Sequence, residues 1–239
     1  MKAVILAGGK GTRLRPYTTI FPKPLVPVGE RPILDIVIQQ LAYYGFDEVI
    51  LTVGHLADLI QAYFHDGARS APNMKISYVR EEAPLGTAGP VAQITDLGDE
   101  PFLVMNGDVL TTLNFRDLMT YHRTHNGILT VGTYEKRHKI ELGVIETDEQ
   151  GRILRYVEKP EKVFPVSMGI YVYDPAVLKY IGTDAPTDFP ELVRRLLDDG
   201  QEVMSYRCQD FWLDIGNQDD YLEAQAIFEE MHDQFLPGT

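Results

Sequence analysis

The sequence predicts an α/β fold with a mixed, mostly parallel central sheet, on three observations. Through the first 112 residues, short apolar runs alternate with helix-period segments. This β-α-β-α rhythm belongs to parallel strands joined by right-handed crossovers. The runs KAVILA, EVILTV and PFLVMNGD are mostly apolar, as strands covered on both faces are. From about residue 113 the pattern shifts to alternating strands and a hairpin, which adds antiparallel pieces.

Taken in order, KAVILA is a first buried strand ended by Gly8 and Gly9. Residues 8–30 hold many Gly and Pro and read as one long loop, a length that in compact domains is usually functional. Pro32, Ile33, Leu34, Val37, Ile38 and Leu41 have helical spacing, and Gly45 suits the end. EVILTV is a strand, and residues 56–65 a helix with Leu56, Leu59, Ile60, Tyr63 and Phe64 on one face. KISYVRE is a strand, 87–97 a helix, and PFLVMNGD a strand ending in polar residues. Residues 115–125 read as a helix and ILTVGTY as a strand. LGVIETDEQGRILRYVEKP alternates around a Glu-Gln-Gly turn, the mark of a hairpin. SMGIYVYD is a strand, and Pro175 opens a helix. TDFPELVRRLLDDG is a helix closed by Gly200, and EVMSYRC and FWLDIG are strands. The final helix, NQDDYLEAQAIFEEMHDQF, is expected to place Tyr221, Leu222, Ala226 and Ile227 on or near one face. With no repeats or linker, 1–239 reads as one domain of two halves, about 1–112 and 113–239.

Composition narrows the function. With 239 residues, 44% of them hydrophobic, the chain can bury a sizeable core. A formal charge of −13 argues against non-specific nucleic-acid binding, which needs a basic face. It leaves room for a nucleotide held by a few local cations. The lone Cys208 can form no intrachain disulfide and reads as a small buried residue. The opening apolar run is too short for a signal peptide, and no stretch has the length of a membrane span. A cytoplasmic location with no membrane partner is the expectation.

LAGGKGTRLRP, Leu6 to Pro16, follows the first strand directly. Its glycines let backbone N–H groups approach phosphate oxygens, and Arg13 adds a planar cationic fork. The P-loop pattern is missing, and so is the third glycine of the dinucleotide fingerprint. A purely structural turn is the alternative for this segment taken alone. In PKPLVPV, Lys23 lies between two prolines that fix its backbone, although a surface lysine in a rigid loop reads the same way. Asp108 ends an apolar strand, where open α/β sheets bind ligands; a helix cap or turn is the other reading. Asp214 lies inside the apolar run Phe211 to Ile215, so a cation or strong donors must be near it. Trp212 reads as core, and the six histidines carry no assigned role.

Together these segments resemble the sugar-phosphate nucleotidyltransferase (NDP-sugar pyrophosphorylase) family. Its opening pattern, G-G-x-G-T-R-L-x-P-x-T then K-P-x-x-P-V, is matched by Gly8, Gly9, Gly11, Thr12, Arg13, Leu14, Pro16 and Thr18, then Lys23, Pro24, Pro27 and Val28. PLGTAGP (84–90), MNGD (105–108), VEKP (157–160) and FWLDIG (211–216) extend the resemblance in the family's order. It implies a Rossmann-like three-layer, glycosyltransferase-A-like fold and the joining of an NTP to a sugar 1-phosphate. Arg13 and Lys23 would be the catalytic cations. Leu6, Ala7, Gly8, Gly9, Gly11, Thr12, Glu81, Pro84, Gly86, Thr87 and Asp108 would bind the nucleotide. Gly143, Glu158, Lys159, Ser167 and Gly169 would bind the sugar phosphate. Asp108 and Asp214 would hold Mg2+, which prefers oxygen ligands and keeps several waters. Where relatives carry Asn-Ala-Gly-Ile-Tyr, this chain reads Ser167-Met168-Gly169-Ile170-Tyr171, which loosens the inherited sugar preference. No hexapeptide-repeat extension follows residue 230, so a catalytic domain alone is expected. The LGTAG turn resembles guanylyltransferase members. GTP with a mannose- or heptose-type 1-phosphate is therefore favoured over a uridylyltransferase acting on a glucose- or amino-sugar 1-phosphate. A non-catalytic paralogue that senses nucleotide sugars and a cytidylyltransferase for a phosphorylated alcohol are the rivals. A homo-oligomer is compatible with all of them.

Overall fold

The computed structural model describes residues 1–182 and 185–238. In chain order, its first half holds β1 (Lys2–Ala7), β2 (Pro27–Val28), β3 (Arg31–Pro32), α1 (Ile33–Tyr43), β4 (Glu48–Val53), α2 (Ala57–Phe64), β5 (Lys75–Arg80), β6 (Phe102–Asn106) and β7 (Val109–Thr111). Then come α3 (Phe115–His125), β8 (Leu129–Lys139), β9 (Val144–Thr147), β10 (Ile153–Val157), β11 (Glu161–Tyr173), α4 (Phe189–Asp198), β12 (Val203–Cys208), β13 (Trp212–Asp214), α5 (Gln218–Glu230) and α6 (His232–Phe235).

Seven strands form the main sheet in the order β12-β8-β11-β6-β1-β4-β5. β1 runs parallel to β4 and β6, β4 to β5, and β12 to β8; only β11 is antiparallel to its neighbours. The sheet is therefore mixed and mostly parallel, as the alternation of elements predicts. Both faces are covered, which explains the apolar strands. Ala3, Ile5 and Ala7 of β1 pack with α1, α2 and α3, while Val4 faces the side of α4. A third cluster joins Leu14, Val26 and Val28 of the long loop to Ile33 and Ile36 of α1 and to Ala224, Phe228 and Phe235.

Several expectations need correction. Residues 87–97 form only a five-residue 3-10 helix, Gly89–Gln93. Gly86, Gly89 and Pro90 are poor α-helix formers, and the Ala88 and Gly89 N–H groups go to the Thr187 carbonyl instead. The segment opened by Pro175 is likewise a 3-10 helix, Pro175–Tyr180. β8 and β11 run past their expected ends, to the pair Lys139↔Glu161. The β8 extension, Glu135–Lys139, is polar on both faces, and in the β11 extension Val163 and Phe164 are consecutive and exposed, so no period-2 pattern marks either. β7 was not expected; three residues are too few to show a period.

The largest correction concerns the last helix, which breaks at Met231 into α5 and α6. Leu222 is 64% exposed and Ala226 is exposed, whereas Ala224 and Phe228 are buried. Tyr221 and Ile227 pack on the core as expected, so the inward face is shifted only in part, toward Ala224 and Phe228. On α2, similarly, Ala57, Ile60 and Phe64 are buried but Leu59 is exposed. Trp212 packs at the edge of the core and donates to the Met168 carbonyl at 2.9 Å. Cys208 is buried, and burial pushes its thiol up to about 11. Among the described residues, no helix is long and apolar enough to cross a membrane.

Candidate active site

From β1 the chain moves through α1 and α2 to β4 and β5 on one side, then crosses to β6 on the other. Connections leaving β1 and β6 diverge at the carboxyl ends of these strands and open a crevice, the usual ligand site of such sheets. The register there is Leu6↔Asn106, continued by Gly107 N–H donating to the Leu6 carbonyl at 3.0 Å. A cavity of about 1050 Å3 occupies this place. Leu6 of β1 and Gly8 and Gly9 just after it line the cavity, with Asn106 of β6, Asp108 just beyond it, and Glu81, Pro84, Gly86 and Thr87 from the segment after β5.

That last segment is tied down from outside. The Thr187 carbonyl accepts from Ala88 and Gly89 N–H at 2.9 and 3.0 Å, and Thr187 N–H donates to the Leu85 carbonyl at 2.9 Å. Thr87 N–H donates to Asp188 at 3.1 Å, and its hydroxyl accepts from Phe189 N–H at 2.8 Å. The amide N–H and hydroxyl of Thr87 are therefore committed to the α4 entrance. Glu81 lies against Gly8, with one oxygen where a Cβ on that glycine would sit. Its other oxygen accepts from Leu85 N–H at 3.4 Å, and burial raises the carboxyl above the ordinary range.

Beside the cavity four charges converge. Pro22 leads into the 3-10 turn Lys23–Leu25, and the Lys23 ammonium ion-pairs with Asp108 Oδ2. The other oxygen, Asp108 Oδ1, is buried with no hydrogen-bond partner among the described residues. β13 pairs with β7 at Asp214↔Val109, and Ile215 N–H donates to the Asp108 carbonyl at 3.1 Å, so the two aspartates come from adjacent backbones. Burial, then the neighbouring Asp108, raises the Asp214 carboxyl; Lys23 and Arg13 pull it the other way without cancelling the rise. Arg13 approaches the same spot over Gly216, where a Cβ would lie 3.4 Å from its Nη1. Its guanidinium forms no ion pair or hydrogen bond among the described residues.

The orphaned Asp108 oxygen beside a second, half-desolvated carboxylate is a hard donor set that fits a divalent cation. Among the described residues, no group of three or more His, Cys, Asp or Glu is placed to hold a metal; Asp108 and Asp214 are the two carboxylates that could contribute. Two carboxylates suit Mg2+, which keeps much of its water.

Ala7, Gly11 and Thr12 lie behind or beside the cavity wall: Ala7 is buried, and Gly11 accepts from the Thr18 hydroxyl through its carbonyl at 2.7 Å. Gly169 packs on the Asn106 amide and so touches the wall indirectly. Gly143, Glu158, Lys159 and Ser167 are not brought to the wall. Gly143 and Glu158 meet instead on the β9–β10 hairpin, where the Tyr156 hydroxyl lies against Gly143 and donates to Glu158 at 2.8 Å. Lys159 follows with φ of 45°, and the Ser167 hydroxyl donates to Tyr171 at 3.1 Å. Lys10, His55 and Arg80 line the cavity but were missed by the sequence reading. His55 and Arg80 lie at the carboxyl ends of β4 and β5, and the strand-end rule that singled out Asp108 could have found them.

Residues 2–231 match the nucleotidyl transferase family. Mannose-1-phosphate guanyltransferase beta-A of Xenopus laevis is 37% identical over 95% of this chain and 64% of its own length. UTP–glucose-1-phosphate uridylyltransferase of Synechocystis sp. is 33% identical over 100% of this chain and 66% of its own length. The chain thus spans about two thirds of these relatives. A solved structure of UDP-glucose pyrophosphorylase with UDP-glucose superposes with a TM-score of 0.71 over 96% of this chain and 98% of that one; at 19% identity this speaks for a shared fold, the Rossmann-like glycosyltransferase-A type.

Proposed function

Since this chain belongs to the nucleotidyl transferase family, we propose that it joins the nucleoside monophosphate of an NTP to a sugar 1-phosphate and releases pyrophosphate, with GTP and a mannose- or heptose-type sugar as the pair it prefers. The observation that carries the reading is the meeting of Arg13, Lys23, Asp108 and Asp214 at the end of a nucleotide-sized cavity. The attacking group is a phosphate oxygen already ionised near neutral pH, so no side-chain nucleophile is needed. The barrier lies in bringing two anions together in line, and positioned cations lower it. Lys23, fixed by Pro22 and Pro24, holds the NTP phosphates near the reacting centre. Arg13, with no hydrogen bond or ion pair among the described residues, stabilises charge on the departing pyrophosphate. Asp108 and Asp214 hold Mg2+, which when bound supplies neutralisation between the two anions. A nucleotide-sugar sensor would have no use for this set of charges.

The direct test is to incubate the protein and Mg2+ with each NTP and a panel of sugar 1-phosphates and to measure pyrophosphate. No release from any pair would end the enzymatic reading, and release with UTP and glucose 1-phosphate would favour the uridylyltransferase alternative.

Glu81 supports the choice of guanine. An ionised carboxylate accepts only, and guanine presents two adjacent donors on one edge, whereas uracil presents one N–H between two carbonyls. Glu81→Gln should lower kcat/KM for GTP by about 10- to 100-fold and shrink the GTP:UTP ratio. Because the Glu81 carboxyl is raised by burial, the acceptor form is lost on acidification earlier than for an ordinary carboxylate. KM for GTP should therefore climb as pH falls in the wild type and stay flatter in Glu81→Gln; parallel profiles would remove Glu81 from the base site.

Asp214 gives a second prediction. Its folded-state pKa lies above the ordinary value. The neutral form's stabilising contribution is thus present below the unfolded pKa and lost as pH rises through the folded one. At neutral pH without divalent cations, Asp214→Asn should raise Tm by about 2 °C. Millimolar Mg2+ should raise Tm of the wild type and leave the variant unmoved. An equal Mg2+ shift in both proteins would take Asp214 out of the metal site.

A further inference from the structure

We infer that helix α5 is a splint for the phosphate-binding loop, with Gln218, Tyr221 and Gln225 as positioning residues that set Arg13 and Lys23; for its catalytic consequence this rests on the proposed reaction. Residues 218, 221, 225 and 228 fall at i, i+3, i+7 and i+10, one stripe of the helix. Each member grips a different point of the loop. Gln218 Nε2 donates to the Arg15 carbonyl at 2.6 Å. The Tyr221 ring lies 5.2 Å from that of Tyr17, and its hydroxyl donates to the Pro27 carbonyl at 2.9 Å. Gln225 donates to the same carbonyl at 2.8 Å and accepts from Gly29 N–H at 2.9 Å. Phe228 closes the stripe against Gly29 so tightly that a Cβ there would lie 2.8 Å from its ring.

The grips flank the two cations, at Arg15 two residues beyond Arg13 and at Pro27 four beyond Lys23. The loop needs them. It lies outside the main sheet, Ile20 and Phe21 are 66% and 51% exposed, and the Arg13 side chain has no hydrogen bond or ion pair of its own among the described residues. Two glutamine amides and a phenol supply the backbone partners that a neighbouring strand would give. The same helix is capped by Asn217, directly after the Gly216 that Arg13 passes, and three residues after Asp214. It therefore holds the arginine in register with the aspartate. A stripe of Gln, Tyr, Gln and Phe carries little apolar periodicity, which is why apolar spacing found Tyr221 and Ile227 but also placed the exposed Leu222 and Ala226 inward.

Two measurements decide it. In hydrogen exchange, Gln218→Ala and Gln225→Ala should speed exchange across residues 9–29 and leave the main sheet unchanged, with Glu223→Ala on the exposed far face as the silent control. In turnover, Gln218→Ala should lower kcat about tenfold with KM for the sugar phosphate within about twofold. Gln218→Lys, which still offers a donor to the Arg15 carbonyl, should restore most of the loss, and Gln218→Glu should not. Because Gln218 acts through Arg13, its removal should add less than about twofold on an Arg13→Ala background. Unchanged exchange in 9–29, or fully additive losses in the double variant, would overturn the splint. An inactive wild type would count against the proposed reaction, and the exchange result would still decide this inference.

Discussion

Asp108→Asn is expected to lower turnover roughly 10³-fold, the largest effect of any side-chain change in the molecule. The substitution keeps the shape of the side chain and removes its charge. Three consequences follow at one point. Lys23, whose side chain is only 10% exposed, loses its one ion-pair partner among the described residues. The buried Oδ1, which has no hydrogen-bond partner among the described residues, loses its affinity for a cation. Asp214 loses the like charge that helps raise its carboxyl. Breaking the pair should also lower stability by about 1–3 kcal/mol, less than for a fully buried pair because Asp108 keeps 21% exposure. That corresponds to a fall in Tm of about 2–12 °C in a protein of this size. Pyrophosphate release and a melting curve on the same preparation separate the two effects, since a folded, inactive variant isolates the chemistry. Turnover within tenfold of wild type in a folded variant would place the reacting centre elsewhere.

How much of this site was legible depended on whether function lay in local sequence or in long-range pairing. The glycine turn after KAVILA, the lysine between prolines and the carboxylate ending an apolar strand are local signals, and the structure gathers all three around one crevice. Asp214 was visible only as an oddity, a charge in an apolar run. What resolves it is the β13–β7 pairing, across about 105 residues, which no periodicity of a three-residue strand could announce. The polar stripe of α5 was unreadable for a different reason. Apolar patterning finds faces that bury hydrocarbon, and this face works by hydrogen bonds to loop backbone. The hairpin residues Gly143 and Glu158 were placed by resemblance, and the structure shows them meeting each other through Tyr156 rather than at the cavity wall.

Gly86→Ala is expected to raise KM for the NTP by about 10- to 100-fold and to cost about 2–3 kcal/mol of stability. Gly86 has φ of 83°, a conformation that costs an L-residue about 1–2 kcal/mol. The added methyl also has nowhere to go, because it would lie 2.6 Å from the Thr187 carbonyl oxygen and 2.8 Å from Asp188 Oδ1. These are the groups that hold the turn, through Ala88 and Gly89 N–H on the one and Thr87 N–H on the other. A flexible side chain could swing aside, but a backbone carbonyl accepting two hydrogen bonds cannot move alone. The turn must part from the α4 entrance, and the cavity wall carrying Pro84 and Gly86 moves with it. Arg13, Lys23 and the two aspartates lie on other elements, so kcat at saturating nucleotide should fall far less than kcat/KM. That split distinguishes damage to the base wall from damage to the charged cluster. A variant with KM unchanged and kcat lost would mean that the 84–87 turn serves the chemistry rather than the nucleotide.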